Sequence, residues 1–239
     1  MAKRIAHMLV EKLSGEVFCE IKPANFYHLR GVEIVDDVAF IPQNQFFCGQ
    51  RDDLVIFIGY EPQLNHHLFL SALLDIAQHH LSVQKIYTLS SFASVLPYNA
   101  PRMIYVVYNE DEIKEELKDY KLVDMTYIGP PAISSYLLWE AKKRRIPGIS
   151  LWPEVPFYLA AIDDFRAQKV VLEFLGRRFN IQLDLGKIEK LAEEQSKNLL
   201  DLRMNDKEVD RYLGSIELNI PLSQEESLYL TNKIRERLQ

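Results

Sequence analysis

The chain has 239 residues, 48% of them hydrophobic and 26% charged, which suits a sizeable globular domain and excludes extended disorder. Its 34 acidic and 28 basic residues give a net charge of −6, which disfavours attraction to phosphate backbones, so no nucleic-acid partner is expected. No stretch approaches the ~18 apolar residues of a membrane span, Met1 to Val10 is too weakly apolar for a signal peptide, and Cys19 and Cys48 lack metal-ligand spacing; a reduced, cytoplasmic protein with no membrane partner is expected.

The first fifty residues read as β-rich. Glu16 to Ile21 alternates, with Val17, Cys19 and Ile21 on one side, and the apolar runs Val32–Val35 and Val38–Ile41 flank Asp36-Asp37, which predicts a hairpin. The pattern changes at Leu54, where Leu54-Val55-Ile56-Phe57-Ile58, closed by Gly59, is continuous enough to be a strand buried on both faces. Asn65 to His80 reads as a helix with the stripe Leu70, Leu73, Leu74 and Ala77. Further strands are predicted at Lys85–Leu89, Ile104–Tyr108, Val123–Ile128 and Ile149–Trp152. Helices are predicted at Asp111–Tyr120 and from Pro131 to about Arg145, where Pro147-Gly148 stops the second.

This alternation implies βαβ units and an α/β fold: a mixed, mostly parallel central sheet flanked by helices, in a core domain spanning residues 1–185. Beyond Trp152 the chain turns helical. Asp163 or Asp164 can cap a helix whose Ala167, Val170, Val171, Phe174 and Leu175 share a face. Residues 186–239 read as a charged helical extension packed on the core or on a partner subunit, its last helix opened by the capping box Ser223-Gln224-Glu225-Glu226.

The chemistry-bearing motifs are missing. There is no Gly-x-Gly-x-x-Gly after a strand, no phosphate loop and no Gly-x-Ser-x-Gly elbow, so no cofactor is implied and no catalytic residue is assigned. Ser134 and Ser135 read as helix-start residues. His66-His67 and His79-His80 bracket one predicted helix, but 14 positions separate His66 from His80, roughly 21 Å along the axis, so they share no ion and no metal site is expected. Lys142-Lys143-Arg144-Arg145 reads as a solvated helix end.

In open α/β sheets ligands sit beyond the carboxyl ends of the strands. The predicted segments there are Tyr60-Glu61-Pro62, Ser90-Ser91, Tyr108-Asn109-Glu110, Gly129-Pro130-Pro131 and Trp152 to Tyr158. The candidate cleft comprises Tyr60, Glu61, Gly129, Glu154 and Tyr158, with Glu61 and Glu154 as acid/base or hydroxyl-binding groups. The competing and preferred reading is that both carboxylates cap following helices and hold proline-stiffened loops in place.

The same loops carry a resemblance. Asp53 to Pro62, Tyr127-Ile128-Gly129 and Gly148 to Tyr158, continued through Asp164–Phe179 and Leu183-Asp184-Leu185, are similar to the proteasome assembly chaperone 2 family over roughly residues 50 to 195. The resemblance implies a phosphorylase/hydrolase-like α/β fold and self-association, with a trimer among the expected assemblies and proteasome subunits among the expected partners. Relatives that dock on proteasomes can end in a hydrophobic–tyrosine–any-residue tail; here Leu238 stands at the penultimate position, so tail-mediated docking is not implied. No phosphate- or base-binding motif of true phosphorylases is matched. The expectation is a non-enzymatic interaction protein, and the alternative is a small-molecule binder or a nucleoside phosphorylase/hydrolase-like enzyme working around Glu61 and Glu154.

Overall fold

Ile5, Leu9 and Leu13 recur at helical spacing, and they seat the first helix, α1 (Ala2–Lys12), in the main core. The structure is a computed structural model that describes residues 1–28, 33–35, 38–126 and 132–238. Helix α1 was not anticipated: its apolar stripe is short, and burial against the sheet rather than propensity holds it. There follow β1 (Glu16–Glu20), a 3₁₀ turn (Pro23–Asn25), β2 (Glu33–Val35), β3 (Val38–Phe40), β4 (Gln45–Cys48) and β5 (Ile56–Ile58). Strands β2 and β3 pair antiparallel as a hairpin; the expected turn at Asp36-Asp37 lies outside the described residues.

Helix α2 (His66–Asp75) runs on into a π-type turn (Ile76–His80), and β6 (Ile86–Leu89), β7 (Phe92–Ser94), β8 (Ile104–Tyr108), α3 (Asp111–Glu116), β9 (Leu122–Asp124) and α4 (Ile133–Lys143) follow. Next come β10 (Gly148–Pro156), a 3₁₀ turn (Phe157–Leu159), α5 (Phe165–Phe179), α6 (Gly186–Asn205), α7 (Lys207–Glu217) and α8 (Gln224–Leu238). The helix ends use local chemistry. Asp164 accepts the Ala167 N–H, Asp206 accepts those of Glu208 and Val209, and Ser223 and Glu226 exchange the reciprocal bonds of a capping box.

The central sheet is mixed and mostly parallel. Strand β10 is its axis, with β6 and β7 parallel to it on one side, β8 antiparallel on the other, and β9 parallel to β8 outside. Two features differ from a simple βαβ series. Strand β5 pairs with β4 in a separate antiparallel sheet, β1-β4-β5. Strand β8 runs against β10 because the 95–103 link contains no helix, and a parallel crossover needs a dozen or so residues. The loop Asn109-Glu110 therefore leaves at the amino end of β10, where the Asn109 amide donates to the Leu138 and Ile146 carbonyls and accepts the Gly148 N–H. Those residues do not share a rim with Ser90-Ser91, as a uniformly parallel sheet would require.

Three apolar clusters hold the fold. Ile104, Val106, Ile149 and Leu151 pack with α1 and α5 on one face of the sheet. Helices α2 and α4 pack with the small sheet through Leu70, Leu74, Leu137 and Phe46. The third cluster joins Val155, Tyr158 and Leu159, at the end of β10, to Val209, Leu213, Leu230 and Ile234 of α7 and α8. Leu230 and Ile234 are fully buried, worth about 1.5–3 kcal/mol each, so α8 is part of the packed body rather than a free appendage.

Candidate functional site

Where β6 gives way to β7, Ser90 and Ser91 border a cleft of about 180 Å³ whose other walls include Met1, Val155, Ile162 and Asp164. It is built around a buried ion pair. Arg102 and Asp164 each have 1% side-chain exposure and meet at 2.7 Å, Nε to Oδ2. The guanidinium also donates to the carbonyls of Ala100 at 2.5 Å and Tyr98 at 3.0 Å, while Asp164 Oδ1 caps α5. Next to it, Asp163 meets the Met1 ammonium at 3.3 Å and Arg4 at 3.0 Å, and accepts from Gln168 Nε2 at 2.7 Å. A charge taken out of water has to be paired and hydrogen-bonded, and both carboxylates are. Chemically, this arrangement locks the 97–102 loop to α5 and α1.

Of the residues expected to form a cleft, Tyr60, Glu61, Glu154 and Tyr158 are not among those that line this one. Tyr60 is held by its backbone: its N–H donates to Asn44 Oδ1 at 3.1 Å and its carbonyl accepts from the Tyr27 hydroxyl at 2.8 Å. Its ring lies beneath the Lys3 ammonium, 2.7 Å from the centroid, and beside Phe40. Burial raises the Tyr27 pKa above the ordinary phenol range, opposed by the Asn44 hydrogen bond. Glu61 is exposed and makes no ion pair among the described residues, and Gly129 lies outside them.

Glu154 was expected in the loop past a strand ending at Trp152, but β10 continues to Pro156 and contains it. It caps no helix: its Oε1 accepts from Ser94 Oγ at 2.7 Å and its N–H donates to the Met103 carbonyl. Because side chains alternate along a strand, Val155 faces the cleft and Glu154 points to the opposite face of the sheet. Tyr158 is 1% exposed and donates to the Leu96 carbonyl at 2.8 Å. Desolvation drives its pKa far above the ordinary range, so it is a neutral buried anchor.

The sequence marks Asp164 only as a helix cap and does not single out its partner Arg102. The available signal was Pro101-Arg102 at the start of an apolar strand, a place where an unpaired cation cannot be buried. His67 meets the Tyr136 hydroxyl at 2.9 Å. No group of His, Cys, Asp and Glu among the described residues could hold a metal ion, and no helix there is long and apolar enough to cross a membrane.

A known family's profile matches residues 2–203 of the chain. The chain belongs to the PAC2 family. Solved structures share the PAC2 fold at low identity. A PAC2 family protein from Streptomyces avermitilis superposes with a TM-score of 0.70 at 21% identity, over 81% of this chain and 85% of its own. A Corynebacterium glutamicum protein of unknown function gives 0.77 at 18% identity, over 91% and 83%. Pyrococcus furiosus PbaB, described as an archaeal proteasome activator, gives 0.70 at 21% identity, over 83% and 86%. No curated protein matches the chain in sequence.

Proposed function

We propose that this PAC2 protein is a non-enzymatic, self-associating interaction protein of the proteasome-assembly-chaperone kind, acting in the cytoplasm on proteasome subunits. The family match over residues 2–203 carries this reading. The cleft supports it: at the strand ends, where an enzyme of this layout keeps its reacting groups, Asp163, Asp164 and Arg102 are consumed in structural bonds. The small-molecule alternative has no such support, since Glu154 turns away from the cleft that Val155 lines. A trimer is the assembly the family resemblance favours.

The test is to incubate the full chain with proteasome α and β subunits from its own host and follow particle size with time. Faster ring formation, or a stable complex with α subunits, is expected. Unchanged assembly kinetics with no complex, or a host genome that encodes no proteasome, would sink the chaperone role.

A further inference from the structure

The basic run that closes α4 divides its cations between two tasks. Arg144 clips α4 to α2, its guanidinium meeting Asp75 at 2.6 Å and the Ser71 hydroxyl at 2.9 Å. Lys143 meets Glu140 at 3.1 Å and lies over the Trp139 ring, 3.2 Å from its centroid. Lys142 and Arg145 are exposed and make no ion pair among the described residues. Two of the four cations are thus matched by carboxylates and two are not, on a chain whose net charge is −6. The local charge is opposite to that of the whole molecule.

Beside those charges runs an exposed aromatic ladder. Tyr136, Trp139 and Lys143 recur at three- and four-residue spacing, which puts them on one face of α4, while the buried Leu137, Leu138 and Ala141 take the other. The His67 ring, from α2, packs edge-on against Tyr136 at 5.0 Å, and Tyr136 packs against Trp139 at 5.3 Å. Trp139 is 50% exposed, and Leu68, next to His67, is 62% exposed. Neighbouring rings hold each other in place before anything binds, so docking on them costs little side-chain entropy. Trp, Tyr and Arg are also the side chains that dominate binding energy at protein interfaces.

We infer that this α2/α4 corner holds an acidic segment of a partner protein, an aromatic side chain of the segment against Trp139 and its carboxylates on Lys142 and Arg145. The inference rests on the interaction role proposed above and gives it a surface and a partner chemistry. Charge selects the occupant. A basic segment is repelled by the two unmatched cations, and a neutral one leaves them without partners. Nucleic acid is the weaker fit: its bases stack on such rings, but two free cations neutralise two phosphates, and the rest of the acidic chain repels the backbone.

Fluorescence anisotropy on the full chain tests this, with a fluorescein-labelled peptide of repeated Glu-Glu-Phe units as the probe and far-UV circular dichroism as the folding control. Binding with a Kd on the order of tens of micromolar is expected, weakening several-fold as salt is raised to about 0.3 M. Trp139→Ser should weaken it about thirtyfold, and Lys142→Glu combined with Arg145→Glu about tenfold. Both variants should stay folded and sediment as the wild type does. No binding of the peptide overturns the inference, as do equal binding of a Lys-Lys-Phe peptide, tighter binding of single-stranded RNA, or variants that bind like the wild type. A Trp139→Ser protein with an altered oligomeric state would assign the face to another copy and overturn it too. Peptide binding in a protein inert towards proteasome subunits would defeat the chaperone role and leave this surface standing. A complex with proteasome subunits that both variants leave intact would overturn the surface and leave the role standing.

Discussion

Asp164→Ala removes one partner of the buried pair and the α5 cap in a single change. Breaking a buried ion pair from one side costs about 3–5 kcal/mol, and losing an N-cap about 1 kcal/mol more. Arg102 keeps its bonds to the Ala100 and Tyr98 carbonyls, which places the sum at the lower end, about 4 kcal/mol. For a chain of this size each kcal/mol moves the midpoint by about 2–4 °C, so a fall of roughly 8–16 °C is expected. Urea unfolding followed by circular dichroism gives the free energy, and calorimetry the midpoint. Asp164→Ser combined with Arg102→Met removes both charges and keeps a capping oxygen, and should lie within about 2 kcal/mol of wild type. A loss below about 1 kcal/mol for the single variant, or a double variant less stable than the single, would refute the claim that this pair organises the cleft.

Other outcomes follow from individual contacts. Deleting α8 after Ser223 should abolish cooperative unfolding, and Ile234→Ala alone should cost about 2–5 kcal/mol, since both expose the apolar cluster under Tyr158. Gly49→Ala should destabilise by about 1–3 kcal/mol, because the added methyl would sit 2.2 Å from the Leu13 carbonyl oxygen; a neutral variant would show that the turn gives way. Lys85 and Arg178 hold the Glu116 pKa below its ordinary value, Lys85 contributing most. A depressed carboxyl stabilises above its unfolded pKa, near 4.3, and loses that stabilisation as pH falls through its lower folded value. The stability gap between wild type and Glu116→Gln should therefore be present at neutral pH and close below pH ~4; a gap that widens on acidification contradicts the sign.

The amino-acid order alone determined the α/β class, the positions of β6, β8, β10, α2, α4 and α5, and the capping box at Ser223, because each rests on local periodicity or on a hydrogen bond between near neighbours in sequence. Even the family was legible, in the loop series around Leu54–Pro62 and Gly148–Tyr158. Helix α1 was not, since its three-residue stripe becomes a helix only by packing on the sheet. Nor was the cleft. Apolar periodicity does not reveal strand direction, so the antiparallel return of β8 and the extension of β10 through Glu154 were invisible. The pairing of Arg102 with Asp164 across 62 positions, and the separation of Glu154 from Val155 onto opposite faces, were decided by tertiary structure. Both depend on which strands lie side by side, and non-local pairing leaves no periodic mark in the chain.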